Sequence, residues 1–354
     1  MGQEMNEEIS VSVIIPCYNM ELYVKECIDS VLKQTLENIE VICIDDGSTD
    51  KTLSILQNYD NPNIRVMHQE NQGVASARNR GINLASGKFI CFMDPDDYYP
   101  AEGILKKLYD TAIERNVKIC GGSFSKNHNG EIKTQFVGIY KNYTFLEDKY
   151  WNYSDYQFDY GYHRFIYDRD MLLHNEIFFP PYIRFQDPPF FVKAMITAGQ
   201  FYAIKDVVYC YRVGHQNLDW NEKRTNHVLH GLCDILEMSR ENKLEKLHTL
   251  TISRLVTDYK TPIKKNIRCK SIQNLLKNAQ SLLDYSLLDD KKYTSEIIQL
   301  VFDALTPPSS TNVKKSNRPR AKAFFTFVPR KCRGAFRILK QKGIMGLIKR
   351  ILHK

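Results

Sequence analysis

Over the first 125 residues, short β-branched runs alternate with stretches whose apolar residues recur at helical spacing. Val11-Ser12-Val13-Ile14-Ile15-Pro16 predicts a buried strand running into the loop Cys17-Tyr18-Asn19. Leu22, Cys27, Ile28, Val31 and Leu32 share one helical face, and Ile39 to Ile44 returns to strand, giving a β-α-β unit. A helix from about Lys51 to Tyr59, capped by Ser48 or Thr49, a strand from Ile64 to Met67, a helix from Val74 to about Ala85 stopped by Ser86-Gly87, and a strand from Lys88 to Met93 follow. Beyond Pro100 the pattern predicts a helix to about Asn116 and a strand over Val117 to Phe124. Phe136 to Tyr167 is aromatic-rich and less regular; Phe190 to Ala198 reads as helix and Phe201 to Val213 as one or two strands.

After about Asn221 the periodicity is helical, with segments near Thr225 to Asn242, Leu244 to Tyr259, Ile272 to Leu283 and Thr294 to Leu305. The expected organisation is a tail at 1–10, an α/β domain at 11–220, a helical subdomain at 221–305, a Pro/Ser-containing linker at 306–317 and a basic tail at 318–354.

Two acidic loops fall at the carboxyl ends of predicted strands, where open α/β sheets bind ligands. They are Asp45-Asp46-Gly47-Ser48-Thr49-Asp50 and Phe92-Met93-Asp94-Pro95-Asp96-Asp97. Three carboxylates in four residues repel one another unless a cation joins them. Mg²⁺ or Mn²⁺ takes a carboxylate or two plus phosphates and water, so a nucleoside diphosphate could complete the shell. Asp is also a favoured turn residue, and a plain acidic turn remains the alternative.

Composition narrows the picture. The 354 residues are 43% hydrophobic and 25% charged, enough for a large core, and no apolar run reaches the roughly 18 residues of a membrane span. The acidic start, Met1 to Glu8, is unlike a secretory signal. The nine cysteines are scattered without C-x-x-C spacing, which argues against disulfide or zinc frameworks and for a reducing cytoplasm. The net charge of +8 is an uneven average: Thr311 to Lys354 holds fourteen Lys or Arg and no Asp or Glu, leaving a mildly acidic body. Ile344, Leu347, Ile348, Ile351 and Leu352 would share a helical face beside Lys349 and Arg350, the pattern of a helix lying on an anionic membrane. A nucleic-acid-binding arm, a helix docked on its own protein and a solvated tail are the rival readings.

Four motifs in order make residues 10–215 resemble the family 2 glycosyltransferases of GT-A fold. They are Val11 to Asn19, Ile44 to Asp50, Asn71-Gln72-Gly73 with Ala77-Arg78-Asn79, and Phe92 to Asp97. P-loop and dinucleotide-binding signatures are absent. The resemblance implies a GT-A nucleotide-diphospho-sugar transferase fold, a Rossmann-like mixed sheet flanked by helices, with a C-terminal helical extension. It implies that Pro16, Tyr18 and Asp46 hold the nucleotide base, with uridine favoured, and that Arg78 and Asp94 serve the donor. Asp96 of the D-x-D motif would ligate Mn²⁺ or Mg²⁺, and His215 would join the metal shell or close over the diphosphate alongside Arg212. Asp187, where relatives often carry Glu-Asp and this chain has Gln186-Asp187, would be the base. Asp97 would cap the next segment and stay outside the site.

The expected function is a metal-dependent inverting transfer of a sugar to a glycan or lipid-linked oligosaccharide in surface polysaccharide synthesis. The expected location is cytoplasmic, peripheral on the inner face of the cell membrane. No nucleic-acid partner is expected, and a homo-oligomeric state is left open. A sugar nucleotidyltransferase and a non-catalytic glycan-assembly scaffold are the alternatives.

Overall fold

The computed structural model describes residues 8–214, 219–288, 296, 297, 299, 300 and 303, all within one compact unit. Strands β1 (Val11–Cys17), β2 (Ile39–Asp45), β3 (Ile64–His68) and β4 (Phe89–Phe92) alternate with helices α1 (Val24–Leu32), α2 (Thr52–Gln57) and α3 (Val74–Leu84). The four strands are parallel in the order β3-β2-β1-β4. Every residue of β1 and β2 is buried, which is why these strands read as apolar runs rather than as alternation.

Two of their polar members, Ser12 and Glu40, hold each other. Ser12 Oγ donates to Glu40 Oε1 at 2.6 Å, and the same oxygen accepts from Ser86 N and Ser86 Oγ, both at 2.7 Å. Ser86-Gly87 therefore does more than stop α3: it satisfies a buried carboxylate. Gly87 also lets the chain pass β1, since a Cβ there would lie 2.6 Å from Ser12 N.

The chain continues through α4 (Ile104–Glu114), β5 (Ile119–His128), β6 (Glu131–Lys133), β7 (Lys149–Asn152), α5 (Tyr153–Tyr156), β8 (Phe165–Asp168), α6 (Arg169–His174), α7 (Asp187–Ala198) and β9 (Gln200–Val213). The nine-stranded sheet runs β3-β2-β1-β4-β8-β5-β9-β7, with β6 on β5. β8 lies antiparallel between β4 and β5, so the sheet is mixed, as expected. The aromatic stretch proves more ordered than its pattern. All four residues of β8, Phe165-Ile166-Tyr167-Asp168, are buried, and a strand covered on both faces shows no alternation. Phe201 to Val213 belongs to one fourteen-residue strand. Its pairing with β5 shifts register around Gly121 to Phe124, where Gly122 leaves room for Val208 and Asp206.

Helices α8 (Glu222–Glu241), α9 (Glu245–Val256), α10 (Lys260–Asn266) and α11 (Lys270–Leu282) form the C-terminal extension, and the expected helix ending at Tyr259 breaks after Val256 into α9 and α10. The extension is tied to the sheet-bearing part by a fully buried ion pair, Arg254 Nη2 to Asp159 Oδ1 at 2.6 Å. Tyr160, whose ring centroid lies 3.5 Å from the same guanidinium, also meets Tyr259 hydroxyl to hydroxyl at 3.1 Å. The linker at 306–317, the basic tail at 318–354 and His215 lie outside the described residues. No helix among the described residues is long and apolar enough to cross a membrane.

Candidate active site

The strand order reverses direction at β1, which has β2 on one side and β4 on the other, and a crevice opens at their carboxyl ends. The loop after β1 and the loop after β2 are laced together. Asn19 N donates to Ser48 Oγ at 3.1 Å, and Asn19 Oδ1 accepts from Thr49 N at 2.8 Å. Ser48 and Thr49 are thus committed across the cleft floor and do not cap α2; Asp50 Oδ1 accepts from Thr52 N instead, at 2.9 Å.

Asp46 is buried, and its carboxylate accepts from Gln69 Nε2 at 2.7 Å, Gln72 N at 2.9 Å and Gly73 N at 2.8 Å. It therefore shapes the Asn71-Gln72-Gly73 turn that starts α3, leaving about one of its four lone-pair directions for a ligand. Tyr18, 45% exposed, stands at the rim, and Pro16 lies at the end of β1.

In the acidic loop the carboxylates have different tasks. Asp94 Oδ1 accepts from Arg78 Nη2 at 2.6 Å and from the Tyr162 hydroxyl at 3.0 Å. Burial opposes its ionisation, but the Arg78 guanidinium and these hydrogen bonds hold its carboxyl below the ordinary value. Arg78 is sandwiched by Tyr162 and Phe179, whose ring centroids lie 5.0 and 5.1 Å away. Nη2 is spent on Asp94, so Arg78 braces the acidic loop, while its buried Nε and Nη1 have no hydrogen-bond partner among the described residues.

Asp97 faces away from the cleft. Its Oδ2 accepts from the Tyr209 hydroxyl at 2.7 Å and its Oδ1 from Arg212 N at 2.7 Å, so it fastens the loop to β9 and caps no helix. Burial, with Asp96 and Asp94 alongside, pushes its carboxyl well above the ordinary range. Arg212 completes the fastening, donating from Nε to Asp96 O at 2.9 Å and from Nη2 to Glu26 at 2.8 Å.

Asp187 opens α7, followed by Pro188 and Pro189, whose fixed φ suits a first turn and whose missing N–H groups leave fewer orphan donors. Burial raises its carboxyl above the ordinary value, and the positive charges of Arg78 and Arg184 offset this only in part. The segment before it is strained: Phe185 has φ 66°, a left-handed conformation costly for a bulky residue. Gly231 of α8 accommodates it, because a Cβ there would come within 2.7 Å of both the ring and the carbonyl oxygen of Phe185.

Pro16, Tyr18, Asp46, Arg78, Asp94, Asp96 and Asp187 all line a single cleft of about 780 Å³. Of the described residues singled out from the sequence for the site, Arg212 does not line the cleft and instead fastens the acidic loop. Four further lining residues carry no motif signal: Lys126, Tyr162, His163 and Arg184. Their spacing is irregular because they come from one strand, one 3₁₀ turn and one loop. Neither ring nitrogen of His163 has a hydrogen-bond partner among the described residues, and burial pushes its pKa down to about 3, so the ring is neutral.

The residues present suit Mg²⁺ or Mn²⁺ of the kind completed by substrate. No cluster of three or more His, Cys, Asp or Glu ligands occurs among the described residues, so no all-protein cage is formed. Asp96 brings a hard oxygen donor to the cleft, the ligand type these ions take together with phosphate and water.

A mixed α/β sheet with a crevice at its switch point and an acidic loop opposite a buried carboxylate is the arrangement of the GT-A fold. Residues 12–174 match Glycosyl transferase family 2. It is 32% identical over 215 residues to the uncharacterized glycosyltransferase EpsJ of Bacillus subtilis, a match covering 59% of this chain and 62% of EpsJ. Against glycosyltransferase GlyG of Streptococcus pneumoniae it is 29% identical over 308 residues, covering 83% of this chain and 96% of GlyG. The crystal structure of S. aureus TarS 1-349 in complex with UDP-GlcNAc superposes with a TM-score of 0.65 at 21% identity, over 83% of this chain and 90% of that one, a likeness of fold.

Proposed function

We propose that this chain moves a sugar from a nucleotide diphosphate sugar, with uridine the favoured base, to a hydroxyl of a glycan or lipid-linked oligosaccharide in surface polysaccharide synthesis. The carrying observation is that Asp187 lines the same cleft as Asp94 and Asp96, although it comes from a different element. Tyr18 stacks on the base at the rim, and Asp46 accepts from the base with its remaining lone pair. Asp94, braced by Arg78 and Tyr162, holds the ribose end, and Asp96 holds Mn²⁺ or Mg²⁺. When bound, the ion supplies charge neutralisation for the leaving diphosphate. Asp187 takes the proton from the acceptor hydroxyl as that oxygen attacks the anomeric carbon; the bond to the diphosphate oxygen breaks and the configuration inverts. Burial raises the Asp187 carboxyl above the ordinary value, which makes its carboxylate a better base than an ordinary aspartate.

The test is UDP release from UDP-sugars with Mn²⁺, in the wild type and in Asp96→Ala and Asp187→Asn. Asp96→Ala should lose metal-dependent UDP affinity, whereas Asp187→Asn should keep it and lose turnover. Release of pyrophosphate from UTP and a sugar 1-phosphate, in place of UDP from a UDP-sugar, would establish the nucleotidyltransferase reading, and binding without turnover the scaffold. The basic tail, 318–354, supports peripheral attachment to the inner leaflet; a chain ending at Leu305 that still sediments with anionic vesicles would remove it from that role.

A further inference from the structure

Lys126 and Arg184 line the cleft, yet neither meets a carboxylate within ion-pair distance among the described residues. Lys126 is half-buried on β5 and lies directly opposite Lys133 of β6, a like-charged pairing that weakens a sheet. Burial, reinforced by Lys133, lowers its pKa, as befits a cation short of a counter-charge. Its compensation is aromatic: the rings of Phe136, Tyr140 and Tyr143 stand 5.7–5.9 Å from Nζ. Contacts at that range are weak. They do not replace the hydration that a half-buried ammonium gives up, so the protein alone leaves Lys126 under-compensated.

Arg184 lines the same cleft. It immediately precedes the strained Phe185, and its charge acts on both Asp187 and Tyr211. Tyr211 is the β9 residue in register with Lys126, so the two cations flank one patch of the cleft, on the side of Asp187. The patch also holds an unpartnered acceptor, Oε1 of the buried Gln186. The donor side, in contrast, carries Asp46, Asp94 and Asp96. A group that needs Asp187 to remove its proton must lie against the cationic side.

We propose that Lys126 and Arg184 form an anion subsite for the acceptor, which carries a phosphodiester or carboxylate close to the hydroxyl that receives the sugar. This rests on the glycosyl-transfer reading above and adds the substrate class to it. The shared chemistry is a monoanion beside a sugar or polyol hydroxyl, supplied either by a polyol-phosphate chain or by a uronic acid.

The experiment measures binding of three probes of matched length to the full chain loaded with UDP and Mn²⁺: a glycerol-phosphate oligomer, a glucuronate oligomer and a neutral glucose oligomer. At least one anionic probe should bind about tenfold or more tighter than the neutral one, the scale of one charge-assisted hydrogen bond. Which one does so identifies the source of the anion. Lys126→Gln and Arg184→Gln should each remove most of that preference, and Lys126→Arg and Arg184→Lys should retain it, with UDP affinity and melting temperature held. Equal binding of neutral and anionic probes would overturn the subsite, as would a loss of UDP affinity matching the loss of probe. UDP release from UDP-sugars in the same preparations reports the transfer reading separately: release without anion preference overturns the subsite alone, and anion preference without release overturns transfer alone.

Discussion

Arg78 and Asp94 form a 2.6 Å ion pair in which the guanidinium is held between Tyr162 and Phe179. The pair fastens the acidic loop after β4 to the helix that Asp46 starts, so the two acidic loops are joined through α3. Arg78→Ala would leave the Asp94 carboxylate without its charge partner and should destabilise the fold by about 3 kcal/mol, measured by urea unfolding. Arg78→Lys keeps the charge but loses the planar stack and should fall between.

Asp187→Asn should lower kcat by about 10²–10⁴ in steady-state assays, with the dissociation constant for UDP unchanged. Retention of wild-type turnover would remove Asp187 from the base role.

The acid limb of kcat gives an independent handle on the same group. A base works only when ionised, so activity falls as pH drops through its pKa. Burial raises the Asp187 carboxyl, so the limb should lie above the ordinary aspartate value of 3.8. A limb at or below that value would contradict the assignment.

Gly231→Ala is a test at a distance. Intrinsic helix propensity would favour Ala by about 1 kcal/mol, but the new methyl meets Phe185 at 2.7 Å and must displace it. The chain should lose about 1–3 kcal/mol of stability. Because Gln186 and Asp187 follow directly, kcat should fall more than UDP affinity. Stability above wild type would show that the loop gives way without strain.

Removing one partner of the buried Asp159–Arg254 pair, as in Asp159→Asn, should cost about 3–5 kcal/mol by chemical unfolding. Replacing both by apolar residues of similar volume should restore much of the loss. A single-variant cost near zero would mean that helices α8–α11 dock through apolar contacts alone.

Local pattern was enough for the first half of the fold. Strands β1 and β2 are short buried runs and β3 a partly exposed edge strand, all bounded by turn residues, and α3 and α4 have clear periodicity. Periodicity failed in the aromatic region, because β8 and its neighbours are packed on every side and leave no polar face to mark a period. It also could not show that Asp50, rather than Ser48 or Thr49, caps α2, since that depends on Asn19 from another loop.

The sequence by itself determined which motif residues reach the crevice. Asp94 and Asp96, Asp46 and Tyr18 sit in contiguous motifs at the ends of parallel strands, Arg78 sits on the helix between two of them, and parallel strands deliver their ends to one edge. Only the tertiary structure decided how these residues divide the work: Asp46 holding a turn, Arg78 bracing Asp94, Asp97 turned away into β9. It also decided the opposite wall. Lys126, His163, Arg184 and Asp187 are scattered over more than sixty residues and meet because β5, β9 and the strained loop at Phe185 converge. No local pattern encodes that meeting, since it depends on long-range pairing and on the space that Gly231 leaves.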